Sequence, residues 1–340
     1  MLLLHLFCTK EYEGLYTPIL FIGNVPLVYY LALFGDCCVA IYCFFSGYGL
    51  IISYKNNKVN YFRNNIIRIF KLYINYWVVL FIFVIGLGFV LGQAYKYPGN
   101  LKTFLLTFTA IDTAYNGAWW FVTTYIILVL VSPIINKVVI NYNSTIVVAL
   151  SFVFYFVAYV QRIKGILVFD NEILSWIIRQ IALFGTSQFP FILGSIFAHK
   201  KIYSKLYNIT NEIKYKNILG VSIIILMIIA HGVVETLFVA VFTGIVFICV
   251  FNLMDKPKWL NKLLDYLGSH STNLWLTHMF FYMIYFKKLV FAPGYSFLIF
   301  PWLVILCLGS SHLINLIYKP IVKLLNKRIE LKLKSEKLTI

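Results

Sequence analysis

The chain is short of charge. Only 12% of its 340 residues are Asp, Glu, Lys or Arg, against about a quarter in an ordinary soluble domain, and only 12 are acidic. With 61% hydrophobic residues and a mean hydropathy of +0.85, a water-soluble globule is excluded. The sequence has no C-x-x-C pair, no His-x-x-x-His pair and no carboxylate cluster at ligand spacing, so no metal centre is expected. It lacks the Walker and Rossmann glycine patterns, which argues against a nucleotide-binding fold of either kind. No signal peptide precedes the apolar runs, no polar linker divides them and no internal repeat relates them, so a single membrane domain is expected. The six cysteines form no disulfide framework by their placement. Cys37, Cys38, Cys43, Cys249 and Cys307 fall in apolar runs and Cys8 lies beside one, where they pack as small hydrophobes.

What the chain has in abundance is apolar sequence in lengths near the ~20 residues that cross a bilayer as helix. The runs predict spans over 27–53, 70–92, 118–136, 145–161, 177–198, 217–231, 235–253, 271–287 and 297–318, with a fragment at 1–8. The expected fold is all-α, a polytopic integral membrane helical bundle of about ten transmembrane helices with the first truncated. A closed barrel would need short alternating strands instead. The fragment reaches polar residues after eight positions, a rise of about 12 Å. Either the natural reading frame starts upstream of Met1 or the stub packs in a protein-lined groove. The expected domain division is a membrane domain over 1–318 and a basic amphipathic tail over 319–340, which alternates Leu or Ile with Lys.

The formal net charge is +17. When the loops are numbered alternately, 21 of the 29 Lys and Arg fall on one side, which assigns that side and the C-terminus to the cytoplasm. The cations are spread over several loops rather than gathered on a folded basic unit, so the implied partners are membrane lipids and not nucleic acid.

Chemistry concentrates in a few places. An apolar run ending Phe44, Phe45, Ser46, Gly47, Tyr48 leads into a basic stretch from Lys55 to Lys71. Ser46, Gly47 and Tyr48 either line a ligand path or pack helices through small residues. Arg63, Arg68 and Lys71 suit phosphates, and ordinary positive-inside placement also explains their sign. His5 lies in an apolar helix, where an ionisable group is costly; it is a candidate base, or an interhelical hydrogen-bonding histidine. His278, beside Thr277, offers the same two readings. Asp36 could orient a hydroxyl or sit solvated at the interface. Trp119 and Trp120 read as an interfacial aromatic belt, with sugar stacking by Trp120 as the alternative. His231 and Glu235 are four apart, but Gly232 suggests a hairpin that separates them.

Four blocks resemble the acyltransferase-3 family of integral membrane acyltransferases. They are Met1 to Phe7, a Leu-rich run containing His5; "FFSGYGL" over Phe44 to Leu50 with the Arg63 to Tyr73 stretch; "AWWFVTTYIILVLVSPIIN" over Ala118 to Asn136; and "LGSHSTNLWLTHMFF" over Leu267 to Phe281. The resemblance implies an O-acetyltransferase of the bacterial cytoplasmic membrane. The acyl group would come from cytoplasmic acetyl-CoA and pass to a hydroxyl of a cell-surface or lipid-linked glycan. It implies His5 as the catalytic base, Arg68, Arg63 and Lys71 on CoA, and Ser46, Gly47, Tyr48, Trp120, His278 and Asp36 along the acyl and acceptor path. Two departures stand out. The basic partner that the family places three turns before its histidine would precede Met1, and the family's Arg-x-x-Arg reads Asn65, Ile66, Ile67, Arg68. The rival readings are a transporter or flippase of lipid-linked saccharides and an acyltransferase-like membrane protein without chemistry.

Overall fold

The structure, a computed structural model, describes the backbone of residues 1–338 and side chains through Leu331. It is 79% helical. After the stub α1 (Leu2–Phe7), the chain makes a two-stranded hairpin, β1 (Phe21–Ile22) and β2 (Val25–Pro26). It then enters α2 (Leu27–Leu33), a 3₁₀ turn over Phe34–Asp36 and α3 (Cys37–Asn56). A short turn leads to α4 (Tyr61–Val79), which continues through a π-helical segment, Leu80–Gly86, into α5 (Leu87–Val90). A returning segment carries the short α6 (Leu101–Phe108). Next come α7 (Trp120–Asn141), α8 (Ser144–Lys164) and α9 (Glu172–His199). The rest comprises α10 (Ile202–Thr210), α11 (Lys216–Val233), α12 (Leu237–Leu253) and α13 (Lys258–Met279) with a second π segment over Phe280–Tyr285. It ends with α14 (Lys287–Phe291) and α15 (Ser296–Leu338).

Seven of these helical stretches are long and apolar enough to cross a membrane, and α12 is apolar but shorter at 17 residues. The α13 stretch is long enough, but its first half, from Lys258 to Ser271, is polar. These elements make a polytopic helical bundle in which lipid leaves intrahelical bonds as the backbone's way to be satisfied.

Local sequence fixes several boundaries. Asn100, Asn143 and Asn171 cap α6, α8 and α9, each side chain accepting from a backbone N–H inside the first turn. Gly165 ends α8 in the left-handed conformation, where a side chain would be strained. The stretch expected as a basic loop is mostly helix. Only a few residues separate α3 from α4, so Arg63, Arg68 and Lys71 stand on α4's first three turns. The helix starts early because Tyr61, Asn65 and Ile69, spaced by four, form a stripe buried against the bundle. At the other end, α15 runs unbroken past the expected span limit at 318. Its 43 residues rise about 64 Å, twice a bilayer's apolar thickness, so its basic part projects beyond the membrane. Residues 339 and 340 of the expected tail lie outside the described residues.

The bundle is drawn tight along a seam between α3 and α9. A Cβ built on Gly47 would sit 1.9 Å from the Phe191 carbonyl oxygen, and one on Gly194 would sit 1.9 Å from that of Phe44. The two backbones touch through a reciprocal glycine pair, with Ser195 Oγ donating to Gly47 O at 3.1 Å. The segment between α5 and α7 folds back onto the bundle: the Tyr76 hydroxyl donates to Thr107 O at 2.6 Å and Trp77 Nε1 to Phe108 O at 3.0 Å. The stub α1 packs inside the protein, with Leu6 and Phe7 buried.

Candidate active site

One cavity of about 920 Å³ runs through the bundle. At one end it is lined by Ser53, near the end of α3, by Asn64, Arg68 and Lys71 of α4, and by Tyr318 of α15. At the other it is lined by His5, by Asp36 just ahead of α3, by Arg162 in the last turn of α8 and by Leu237 at the start of α12. Helix direction places these groups toward opposite faces, here called the basic face and the opposite face.

At the opposite face, α1 and α13 bring two histidines together. His5 Nδ1 lies 2.7 Å from His278 Nε2, and the rings stack with centroids 4.9 Å apart. His278 Nδ1 lies 2.7 Å from the Trp275 carbonyl oxygen. A carbonyl can only accept, so His278 carries its proton on Nδ1 and, when neutral, presents a lone pair at Nε2. His5 Nδ1–H then donates to that lone pair. His5 is left with Nε2 as an unprotonated ring nitrogen without a protein partner among the described residues. The Tyr282 ring, in the π segment after His278, stacks on both imidazoles at 6.0 Å. The arrangement fixes the tautomers and orientation of a neutral base, which is what proton abstraction from a hydroxyl requires.

Around this base the cavity wall is aromatic and charged. Arg162 lies over the Trp120 ring, 4.7 Å from its centroid, and donates to Thr186 Oγ1 at 3.2 Å. Asp36 is within electrostatic range of both His5 and Arg162, and its carboxylate is 3.7 Å from Nε2 of the buried His231. His231 and Glu235 do not share a face. His231 turns inward toward Thr243, while Glu235 meets Lys10 at 3.1 Å and accepts from the Tyr29 hydroxyl at 2.9 Å. Trp119 and Trp120 depart from the expected aromatic belt: Trp119 is 1% exposed and donates to Leu276 O, and Trp120 lines the cavity.

Toward the basic face the lining turns to amides and hydroxyls. Asn75 Nδ2 donates to Asn273 Oδ1 at 2.7 Å, and Asn273 Nδ2 donates to Ser311 Oγ at 2.8 Å. The Asn75 carbonyl oxygen is buried without a partner in a residue that lines the cavity. Asn65, where the family pattern has arginine, is 1% exposed. Its amide nitrogen donates to Val129 O and Ser132 Oγ, and its oxygen accepts from Arg68 Nη1 at 3.0 Å. The residue that looked like a lost cation therefore orients the remaining one.

Of the residues singled out in the sequence, the cavity brings together His5, Asp36, Ser46, Arg68, Lys71 and Trp120, with His278 directly behind His5. Gly47 lies in the α3–α9 seam rather than on the cavity wall; Tyr48 and Arg63 are outside the lining. Ser46 spends its hydrogen on Tyr42 O at 2.7 Å, so it offers the cavity an acceptor. The sequence reading passed over Arg162, Asn75 and Asn273. For Arg162 the signal was one turn of boundary: a span ending at 161 makes it a loop charge, and a helix ending at Lys164 puts it inside.

A polytopic helical membrane protein with a through-cavity, a tethered neutral histidine at one end and an oriented arginine at the other has the parts of a membrane-embedded transferase. Residues 12–316 match the acyltransferase-3 family, described as an acyltransferase domain, and the chain belongs to that family. His5 stands ahead of the matched residues, so its place in the site rests on the geometry above. Comparison with curated proteins and with solved structures returned no match.

Proposed function

We propose that this membrane acyltransferase takes an acetyl group from cytoplasmic acetyl-CoA and moves it to a hydroxyl of a cell-surface or lipid-linked glycan. It would do so in the bacterial cytoplasmic membrane, with its basic face and C-terminus on the cytoplasmic side, the orientation that its loop cations favour. The observation that supports this reading is the single cavity joining Arg68 and Lys71 at one face to His5 at the other.

The donor enters at the basic face. Arg68, held in place by Asn65, pairs with CoA phosphate, and Lys71 adds positive charge. The pantetheine arm carries amides that need partners away from water; the Ser46 hydroxyl accepts from one N–H group, and the buried, unpartnered Asn75 side-chain oxygen accepts from another once the Asn75 side chain turns toward the cavity. The thioester thus arrives at the histidine pair. His5 Nε2 removes the acceptor hydroxyl proton as the oxygen attacks the thioester carbonyl carbon. The C–S bond breaks on collapse of the tetrahedral intermediate, and the thiolate recovers the proton from His5. An ester and free CoA thiol leave, with no net proton change. His278 stabilises the transient His5 imidazolium by accepting from its Nδ1–H, a positioning role.

The test is transfer of labelled acetyl from acetyl-CoA by the full chain in nanodiscs, with donor binding measured separately. His5→Ala should bind donor and transfer nothing; full transfer in that variant would overturn the assigned base. A saccharide flippase would move sugar without consuming acetyl-CoA.

A further inference from the structure

Arg162 is a cation inside a membrane bundle that lacks a counter-ion. No ion pair reaches it among the described residues, and its protein partners are the Trp120 ring and one neutral hydroxyl, Thr186 Oγ1. Asp36 is in electrostatic range, but its close titratable neighbour is His231, and Arg179 on α9 adds a second positive charge within range of Arg162. A guanidinium away from water is costly unless paired and hydrogen-bonded. Its fork has five N–H donors, of which Thr186 takes one. Because Arg162 lines the same cavity as His5, the missing partner is something that enters that cavity.

We infer that Arg162, lying on Trp120, is the binding site for an anionic group, carboxylate or phosphate, of the acceptor glycan, so that the substrate class is an acidic saccharide. The inference rests on the acyl-transfer reading for the word acceptor, but the anion site itself does not depend on the chemistry. Trp120 supports the guanidinium face, leaving the N–H edge for a bidentate contact. Tyr159, one turn before Arg162 and lining the same end, suits the sugar ring and its hydroxyls, while Tyr155 behind it is held in the core by its hydroxyl's bond to Phe238 O. Asp36 accepts from a neighbouring hydroxyl, and an anion held at Arg162 keeps a fixed distance from the base. A lipid phosphate could supply the same chemistry from the bilayer, and the experiment separates that source.

The full chain in phosphatidylcholine nanodiscs is titrated with methyl glucuronide, glucose 1-phosphate and methyl glucoside, with binding read directly and acetyl-CoA binding as the check on folding. At least one acidic probe should bind ten- to a hundredfold more tightly than the neutral one. Arg162→Gln should bring the probes within about twofold of each other, and Arg162→Lys should keep part of the preference, as a point charge without the fork. Equal binding of acidic and neutral probes by the wild type, or an undiminished preference in Arg162→Gln, overturns the proposal. If both variants lose acetyl-CoA binding, Thr186→Val and Trp120→Leu replace them. A preference undiminished in both of those overturns it as well. Loss of acidic-probe binding when the discs contain phosphatidylglycerol assigns the site to lipid headgroups and overturns the glycan assignment. Failure of acetyl transfer with the discrimination intact would sink the acyl-transfer reading and leave the anion site standing.

Discussion

The two ends of the cavity satisfy their polar groups in opposite ways. At the basic face the arginine is anchored by a buried amide and the asparagines hold one another in a ladder, with the Asn75 side-chain oxygen the one member of the ladder left unpartnered, so most of the wall is ordered before a ligand arrives. At the opposite face, among the described residues, His5 Nε2 has no protein partner and Arg162 has no counter-ion in contact. The first end is suited to grip one invariant molecule, and the second waits for groups that a substrate brings. Unpaired groups are costly in a bundle core, and those facing the cavity beside the histidine pair are a ring nitrogen and a guanidinium, groups suited to taking a proton and holding an anion.

Removing the base should break the contrast most severely. His5→Gln keeps a hydrogen-bonding side chain but no proton acceptor of suitable basicity, and should lower kcat for acetyl transfer by about 10²–10⁴, with the donor dissociation constant unchanged. His278→Gln acts through His5 and should cost less, about ten- to a hundredfold in kcat. Rapid-quench turnover beside equilibrium donor binding reads both. A His278→Gln variant with wild-type kcat would show that the His5 orientation is set elsewhere.

The donor end should respond in KM. Arg68→Gln removes a charge-assisted contact of about 1.5–3 kcal/mol and should raise the acetyl-CoA KM roughly ten- to a hundredfold with little change in kcat. Asn65→Leu leaves the charge but releases its anchor, and should raise KM less than Arg68→Gln does, without affecting acceptor discrimination. If Asn65→Leu lowers kcat instead, the two ends are coupled through α4 and the division drawn here is too sharp.

Much of this architecture could be read from the chain, because lipid dictates helix length and apolar runs report it directly. The nine expected spans each fall on helical structure. What could not be read are the meetings across sequence distance. His5 and His278 are 273 residues apart, and nothing local to either names the other. Boundary errors of a few residues also matter more at helix ends, where function sits: Arg162 and Asn65 were each misjudged by a turn of helix or by a missing charge. In membrane sequence, polarity near a span end is ambiguous between loop and cavity until the neighbouring helix is in place.

Both ends depend on the seam between them. Gly47→Ala forces a methyl group against the Phe191 backbone, which cannot step aside as a side chain could. It should destabilise the fold by on the order of 1–3 kcal/mol, lower the thermal midpoint and weaken donor and acceptor binding together. Loss of one with the other intact would mean that α3 serves only one end.

The smallest effect is expected at the clasp that ties the segment after α1 to the α11–α12 turn. Glu235 accepts from the Tyr29 hydroxyl and pairs with Lys10, five residues beyond His5. The Tyr29 hydrogen bond, followed by the lysine, holds the Glu235 carboxyl below its ordinary value of 4.5. A carboxyl depressed in the folded state contributes stability that is complete above its unfolded titration and disappears as pH falls through the folded value. Because the pair is exposed and screened by salt, Glu235→Gln should cost less than about 1 kcal/mol at neutral pH. The difference from wild type should vanish in acid, where both side chains are neutral. Thermal midpoints of the two proteins measured across that range check the sign. A Glu235→Gln penalty that stayed constant into acid would mean that the clasp works by shape, and that charge plays no part in seating His5.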